Sequence, residues 1–490
     1  MKQNKTNRTK SSNPLSVMTL LKSAFSLAFL LATHTADAQN SSIGNITRNL
    51  NGTAIDFYKD LIPKNLKATF LPSGTTNAEI VAATKAINDS ITSASASGGG
   101  VIIFNRGTHT LNQINLKSNV RLEMRPGVVF KMNARVLFNI GREASRMQDK
   151  VYNVEIIAKN PNKRFVIDAT KFAPIAEAIP IRVAYAQNFA ISRFTILDNF
   201  TKIPAVFLIA DDQYVNGASV VSTLNRVPSF GVVKDGDVEN TAVGYALVQL
   251  FSGNNVLLEN LKSKKGITVR LETGNGKPGD PFNDIVDQSF GNIHHILLNN
   301  IEIEEGFAAL FMKPHSRICS DIEANNIKAI NSLSSVYIAS TELKPITKRG
   351  RFTNTVVTGV SFAQTIPNST TNFPADTGLE GLRFMSEEFR QLIKDRFDNL
   401  IPKPSNFLDA VPKDPTEERY VAQPLAPIMM LSRVSATNLG DLALGRFDVS
   451  LPNLNDIQIT GGIFTGPKII YRESAKTIVT GQIDHNYIND

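Results

Sequence analysis

The 490 residues include no tryptophan, a single cysteine and only six histidines. One cysteine cannot close an internal disulfide, so the fold must be held by its core. Cys319 lies among alternating apolar residues and reads as a small buried hydrophobe, not a nucleophile. No Cys/His spacing of the metal-binding kind is evident, and His294 and His295, adjacent at a turn, read as structural. No segment after the N-terminal forty residues reaches the roughly 18 uninterrupted apolar residues of a membrane helix, so no span is expected. Charge of neither sign dominates: 52 basic against 44 acidic side chains give a net +8, too mild to argue for nucleic acid.

The apolar content is ample, at 42%, with 20% charged residues, which describes a folded globular chain. Its start reads as an address. Lys2, Lys5, Arg8 and Lys10 precede an apolar stretch over 24–32, and Ala36-Asp37-Ala38 supplies a small-x-small site. Cleavage after Ala38 and secretion are expected. The leader carries five basic residues and one acidic, so the mature chain would hold 47 and 43, a net charge of +4.

Residues 39–67 read as a linker or extension. A helix is predicted over 76–92, because Thr76-x-x-Glu79 forms a capping box and Ile80, Ala83, Ile87 and Ile91 recur on one face until Gly98-Gly99-Gly100. The apolar period then changes to two. Polar residues followed by apolar alternation recur at Asn153-Val154, Asn188-Phe189, Asn255-Val256, His295-Ile296, Asp321-Ile322 and Asp456-Ile457. Starts at Val120, Val154, Phe189, Val256, Ile296, Ile322 and Val356 differ by 34, 35, 67, 40, 26 and 34 residues. A unit of that size holding several short strands predicts an all-β chain, a right-handed parallel β-helix, over 68–365. Asn260, Asn300 and Asn326 should stack as an amide ladder, and the helix should cover the open N-terminal end of the coil. The pattern breaks at about 198–240 and at 366–431. The second break reads as a small inserted α+β domain or lid with a helix over 386–397, and the coil and its C-terminal cap resume over 432–490.

Stacked coils place equivalent residues about 4.8 Å apart, so a polar row on one outward face makes a groove for an extended polymer. Arg182, Gln249, Glu272, Lys313 and His315 are expected along one face, from their spacing to the following repeat starts. Arg182, Arg270, Lys313 and Lys344 suit sulfate esters, and Tyr245, Phe311 and Tyr337 stand in for the missing tryptophan as sugar-stacking rings. Asp211-Asp212 reads as a solvated acidic loop.

The segments Val248-Gln249, Arg270-Leu271-Glu272-Thr273 and Lys313-Pro314-His315, in this order in a secreted β-helix with a late insertion, resemble the ι-carrageenases of glycoside hydrolase family 82. That resemblance covers most of the mature chain. It implies inverting cleavage of the β-1,4 bonds of ι-carrageenan, a sulfated algal galactan, with Glu272 as general acid, Gln249 holding the water or a nearby ion, and His315 touching substrate. The family pattern places an Asp two residues after the Glu; here that position is Gly274. An inverting enzyme needs a second carboxylate roughly 6.5–9.5 Å from the first. Candidate bases are Asp280, Asp284 and Asp287 on the following loop, and Glu342. No cofactor is required by this reading; the 280–287 loop has room for a structural Ca²⁺, and the metal content is otherwise open. A monomer acting on a sulfated polysaccharide is expected. Two alternatives stay open: a polysaccharide lyase using Lys313 and His315, and a non-catalytic carbohydrate-binding protein, which Gly274 favours.

Overall fold

The computed structural model describes residues 42–63, 66–142, 149–202, 204–210, 226–242, 244–273, 291–339, 350–365, 371–373, 420–422, 426–430 and 447–471. The leader, Asp211, Asp212, Gly274, Asp280, Asp284, Asp287, Glu342, Lys344 and most of the 366–431 segment, with its expected helix, lie outside these residues.

Among the described residues one helix is followed by short parallel strands that wind into a right-handed parallel β-helix. Ten strands, from Ile114–Leu116 to Ile469–Tyr471, make one flat face. The other faces form a bent sheet whose long strands, such as Ala186–Leu197 and Ile293–Glu304, kink midway at a residue of positive φ, Arg193 or Asn300. Two pairs are antiparallel: Ile46–Leu50 with Thr53–Tyr58, and Thr371–Phe373 with Tyr420–Ala422. Strand Ile428–Met430 pairs with Ser334–Ile338 and belongs to the ten-stranded face. No helix among the described residues is long and apolar enough to cross a membrane.

The helix spans Asn77–Ala96 and carries the expected capping box, with Glu79 N–H donating to Thr76 Oγ1 and Thr76 N–H to Glu79 Oε2. Its apolar stripe of Ile87, Ile91 and Ala94 joins the core inside the coil. Its polar residues close the sheet edge: Asn115 N–H donates to Asn88 Oδ1 at 2.8 Å and Asn112 N–H to Thr84 Oγ1 at 3.0 Å. Backbone donors that would otherwise template another strand are thereby satisfied.

The residue before each repeat start, polar in every rung but one, is a left-handed corner. Asn119, Asn153, Asn188, Phe230, Asn255, His295, Asp321 and Asn354 occupy successive rungs of one column, with φ between +46° and +63°. Asparagine tolerates that region better than other side chains and its amide can bond to the next rung. Asn153 donates to Asn119 and Asn188 to Asn153, each at 2.7 Å. The predicted second ladder is present, Asn300 donating to Asn260 at 2.9 Å and Asn326 to Asn300 at 3.2 Å.

Two parts of the expected repeat are corrected. The break at 198–240 contains a full coil strand, Ser229–Glu239, lying between Ala186–Leu197 and Gly253–Lys264. It was hidden because Gly231 and Gly236 stand where neighbouring coils have apolar side chains. The rings of Phe189 and Phe194 fill that space, and a Cβ on either glycine would sit 2.0 or 2.3 Å from a ring atom. The last start is displaced by one residue: Ile322 pairs with Thr355, not Val356, and Asp456-Ile457 leads into Gln458–Thr460, which pairs with Ser361–Ala363 on another face. One residue of slip exchanges the inner and outer sets of a strand, which is why the pairing is decided by packing.

Residues 46–58 are more than a linker. This hairpin lays Ile46, Leu50, Phe57 and Tyr58 on Ala190, Val232, Leu257 and Leu297 of four successive coils. Arg48 forks onto Glu259, and Lys59 N–H donates to Asn188 Oδ1 at 2.8 Å. The hairpin therefore straps the coil from outside.

Asp198 is buried at the end of one coil strand, with Thr201 N–H donating to Oδ2 at 3.1 Å. Burial pushes its carboxyl up to about 6, against opposing hydrogen bonds from Thr201 and Asn199. A raised folded-state value contributes stability below the unfolded range near 4 and loses it as pH rises through 6. Asp198→Asn is therefore expected to unfold at higher urea than the parent at pH 8, by about 1–3 kcal/mol, with the gain shrinking toward pH 4. A pH-independent difference would show that Asp198 does not titrate in this window.

Candidate active site

Alternation along Ile267–Glu272 turns Val269 and Leu271 into the core and Arg270 and Glu272 outward on the ten-stranded face. Register places Asn139, Arg182, Phe207, Gln249, Arg270, Phe311 and Tyr337 in one column across seven strands. Glu272 stands in the next column, beside Lys313. The row expected from spacing is thus two columns: Arg182 and Gln249 are equivalent to Arg270, while Glu272 lies two residues along and His315 just past the end of its strand.

Glu272 is the meeting point. Gln249 Nε2 donates to its Oε2 at 3.0 Å, His315 Nε2 lies 2.7 Å from its Oε1, and Arg270 forms an ion pair with Oε2. All four side chains are shielded: Gln249 is 2%, Glu272 4%, Arg270 5% and His315 8% exposed. Burial pushes the Glu272 carboxyl up, but Arg270, His315 and Lys313 outweigh it and hold the group well below the usual carboxylate range. Burial lowers His315 and is only partly offset by Glu272, which favours a neutral imidazole donating from Nε2. Its Nδ1 is then a buried acceptor with no hydrogen-bond partner among the described residues.

Arg270 is fixed from three sides. It donates to the Gly244 carbonyl, and its guanidinium carbon lies 5.4 Å from the Phe311 ring centroid and 5.9 Å from that of Tyr245, which is half-buried. Phe311 and Tyr337 stack at 5.2 Å and are buried, so they support the site from the side and are not open sugar platforms. Beneath Glu272, Thr273 Oγ1 donates to the Pro314 carbonyl at 2.6 Å, tying the strand of the acid to the turn that carries His315. Cys319 lies 3.5 Å from the same hydroxyl and is fully buried, and burial raises its thiol to about 11, the inert hydrophobe expected.

Arg182 Nε donates to Asn139 Oδ1 at 2.9 Å, and Asn139 Nδ2 to Asn115 Oδ1 at 2.8 Å, extending the polar column toward the helix-capped end. Asn115 and Asn139 were missed from sequence. Their signal was a lone amide in the middle of an otherwise apolar short strand, Ile114–Leu116 and Val136–Ile140. The candidate bases Asp280, Asp284, Asp287 and Glu342 lie outside the described residues, as does Gly274. One further group was invisible in linear spacing: His294, His295 and Asp321 gather at one corner of the coil.

Comparison with known proteins finds relatives in sequence and in fold. The chain is 25% identical over 248 residues to an iota-carrageenase of Zobellia galactanivorans, covering 49% of this chain and 46% of that protein. It is 26% identical over 247 residues to an iota-carrageenase of Alteromonas macleodii, covering 49% and 45%. The matches thus span about half the length of these curated relatives. Among solved structures, an iota-carrageenase of family GH82 from A. fortis superposes with a TM-score of 0.61 at 18% identity, covering 85% of this chain and 92% of that one. An iota-carrageenase complexed to iota-carrageenan fragments gives 0.57 at 17% identity, covering 82% and 92%. No family model matches the chain. The likeness to the ι-carrageenases read from short motifs is borne out in sequence and in fold.

Proposed function

We propose that this chain is a secreted glycoside hydrolase that cuts β-1,4 bonds of ι-carrageenan with inversion. The observation that carries the reading is one buried carboxylate, Glu272, held by Gln249, Arg270 and His315 on an outward face of a fold shared with iota-carrageenases. A polymer lying across successive coils meets Arg182, Arg270 and Lys313, cations suited to sulfate esters.

In this reading Glu272 protonates the departing glycosidic oxygen. In the free protein it is an ionised carboxylate, because Arg270 above all opposes the effect of burial. A substrate sulfate seated against Arg270 and Lys313 places negative charge beside Glu272 and weakens that opposition while the burial remains, so the bound carboxyl rises toward the range of an acid. Gln249 carries no exchangeable basic site; it orients water, and the proton goes to a carboxylate from the 280–287 loop or Glu342. The expected signature is an alkaline limb of kcat, reporting the complex, at higher pH than that of kcat/KM, reporting the free enzyme. Coincident limbs would refute substrate-driven activation of Glu272.

The function is tested by reducing-end release from ι-, κ- and λ-carrageenan, with ultraviolet absorbance followed in parallel and the first product anomer read by NMR. Cleavage of ι-carrageenan with an inverted anomer and no unsaturated chromophore supports the hydrolase. A chromophore would replace it with a lyase. Affinity without any cleavage would replace it with a binding protein.

A further inference from the structure

We propose that His294, His295 and Asp321 bind one divalent transition-metal ion of the zinc class and so pin two neighbouring coils at their corner. This assignment is independent of the hydrolase reading, since His295 and Asp321 lie on the corner column of the bent sheet, His294 immediately precedes it, and none of the three takes part in the Glu272 site.

The corner column supplies the first argument. Its rungs from Asn119 to Asn354 are asparagines except Phe230, His295 and Asp321, and the last two are consecutive. An imidazole and a carboxylate at adjacent rungs break the amide ladder that the other rungs use. The carboxylate is nonetheless held: Asn354 Nδ2 donates to Asp321 Oδ1. Its other oxygen, Oδ2, faces the histidines, 3.2 Å from His294 Nδ1 and 3.8 Å from His295 Nε2.

Geometry is the second. Three ligand atoms, two imidazole nitrogens and one carboxylate oxygen, all lie within 4.8 Å of one another. A tetrahedral zinc with bonds of about 2.0–2.1 Å needs ligand atoms about 3.3 Å apart, so small side-chain rotations close the site. The rings are already gathered, with centroids 3.7 Å apart. Ser320 Oγ, 2.7 Å from His294 Nδ1, orients that ring and gives way when the nitrogen takes a metal. The side chains are 35%, 38% and 25% exposed, so an ion reaches them from solvent and water fills the remaining position. Two imidazoles with one carboxylate select zinc, nickel or copper over the hard cations Ca²⁺ and Mg²⁺.

The test is calorimetric titration of untagged, chelator-treated protein with zinc chloride. One ion per chain is expected for the parent. The double variant His295→Asn/Asp321→Asn restores the amide found at the neighbouring rungs, so its circular dichroism and its melting in chelator should match the parent. Its zinc affinity should fall at least about 100-fold, since loss of outer-shell partners alone costs 10- to 100-fold. His294→Ala leaves the column intact and should show the same loss. Absence of zinc binding by the parent overturns the proposal. So does binding of unchanged affinity in either variant, which would put the ion elsewhere, with the Glu272–His315 pair the next place to look.

Discussion

Replacing Glu272 by Gln is expected to lower kcat on ι-carrageenan by about 10²–10⁴-fold with little change in KM, the usual contribution of a positioned general acid. The substitution keeps the size of the side chain and its hydrogen bond from Gln249 while removing the transferable proton and the negative charge. Loss of charge has a structural consequence, because Arg270 and His315 are both turned onto that carboxylate in a buried setting. Arg270 keeps the Gly244 carbonyl and its two flanking rings, so the strand should hold its place. Melting midpoints of parent and variant must therefore accompany the kinetics. A folded Glu272→Gln enzyme as active as the parent would remove Glu272 from the chemistry and reopen the assignment to the residues of the 280–287 loop. Binding of the polymer should survive, since the cations that face sulfate are untouched.

Arg121→Leu is expected to cost about 3–5 kcal/mol of stability at neutral pH, the range for breaking one side of a buried ion pair. Arg121 is fully buried inside the coil wall, paired with the equally buried Glu155 and with Asp60 Oδ1 at 2.8 Å. Glu155 also accepts from Ile43 N–H at 3.1 Å, so the cluster ties both flanks of the N-terminal hairpin to the second and third coils. Burial already pushes the Glu155 carboxyl up, with Arg121 the main opposing influence. Without Arg121 it rises further, and a raised folded-state value means stability lost as pH increases above the unfolded range near 4. The deficit should accordingly shrink on going from pH 7 to pH 4. The double variant Arg121→Leu/Glu155→Leu should recover most of the loss, since two apolar residues of similar size replace the pair. Urea unfolding of the parent, single and double variants measures all three. A single variant within 1 kcal/mol of the parent would show that the hairpin, not the ion pair, carries the attachment.

Much of the architecture is visible in the order of residues because β-helices repeat local physics. The capping box at Thr76 and Glu79 and the glycines after Ala96 mark the helix. Asparagines before apolar pairs mark the left-handed corners, since few other side chains accept that backbone region. The same physics explains the failures. A coil can be built with Gly231 and Gly236 when a large ring from the coil below occupies the vacated volume, and that compensation comes from residues about forty positions away. Thr355 and Val356 are equally plausible starts by composition, and only pairing with Ile322 separates them.

The candidate site divides in the same way. Composition and alternation alone point to Glu272, Arg270, Gln249 and Lys313 as outward polar residues on neighbouring strands, and a motif resemblance points to their chemistry. Their mutual relation is not in the chain order. Register sets Gln249 opposite Arg270, so that Gln249 reaches Glu272 diagonally from the neighbouring strand while Arg270 reaches it along its own. The lowered pKa of Glu272 arises from Arg270 on its own strand, Lys313 on the next and the hydrogen bond of His315 from a turn, brought together against the pull of burial. The grouping of His294, His295 and Asp321 likewise needs two coils 26 residues apart to lie side by side.

What the sequence determines by itself is therefore what depends on near neighbours: the period of two, the left-handed asparagine corners, the helix and its cap, and which face of each strand is polar. The tertiary structure decides what depends on contact between coils. It sets the register that aligns the polar columns, the exchange of volume between Phe189 and Gly231, the strap over the outer sheet, and the burial that turns Glu272, Arg270 and His315 into one coupled group. Electrostatic coupling and packing depend on distance in space, and in a solenoid the closest partners of a residue lie a full turn away in the chain.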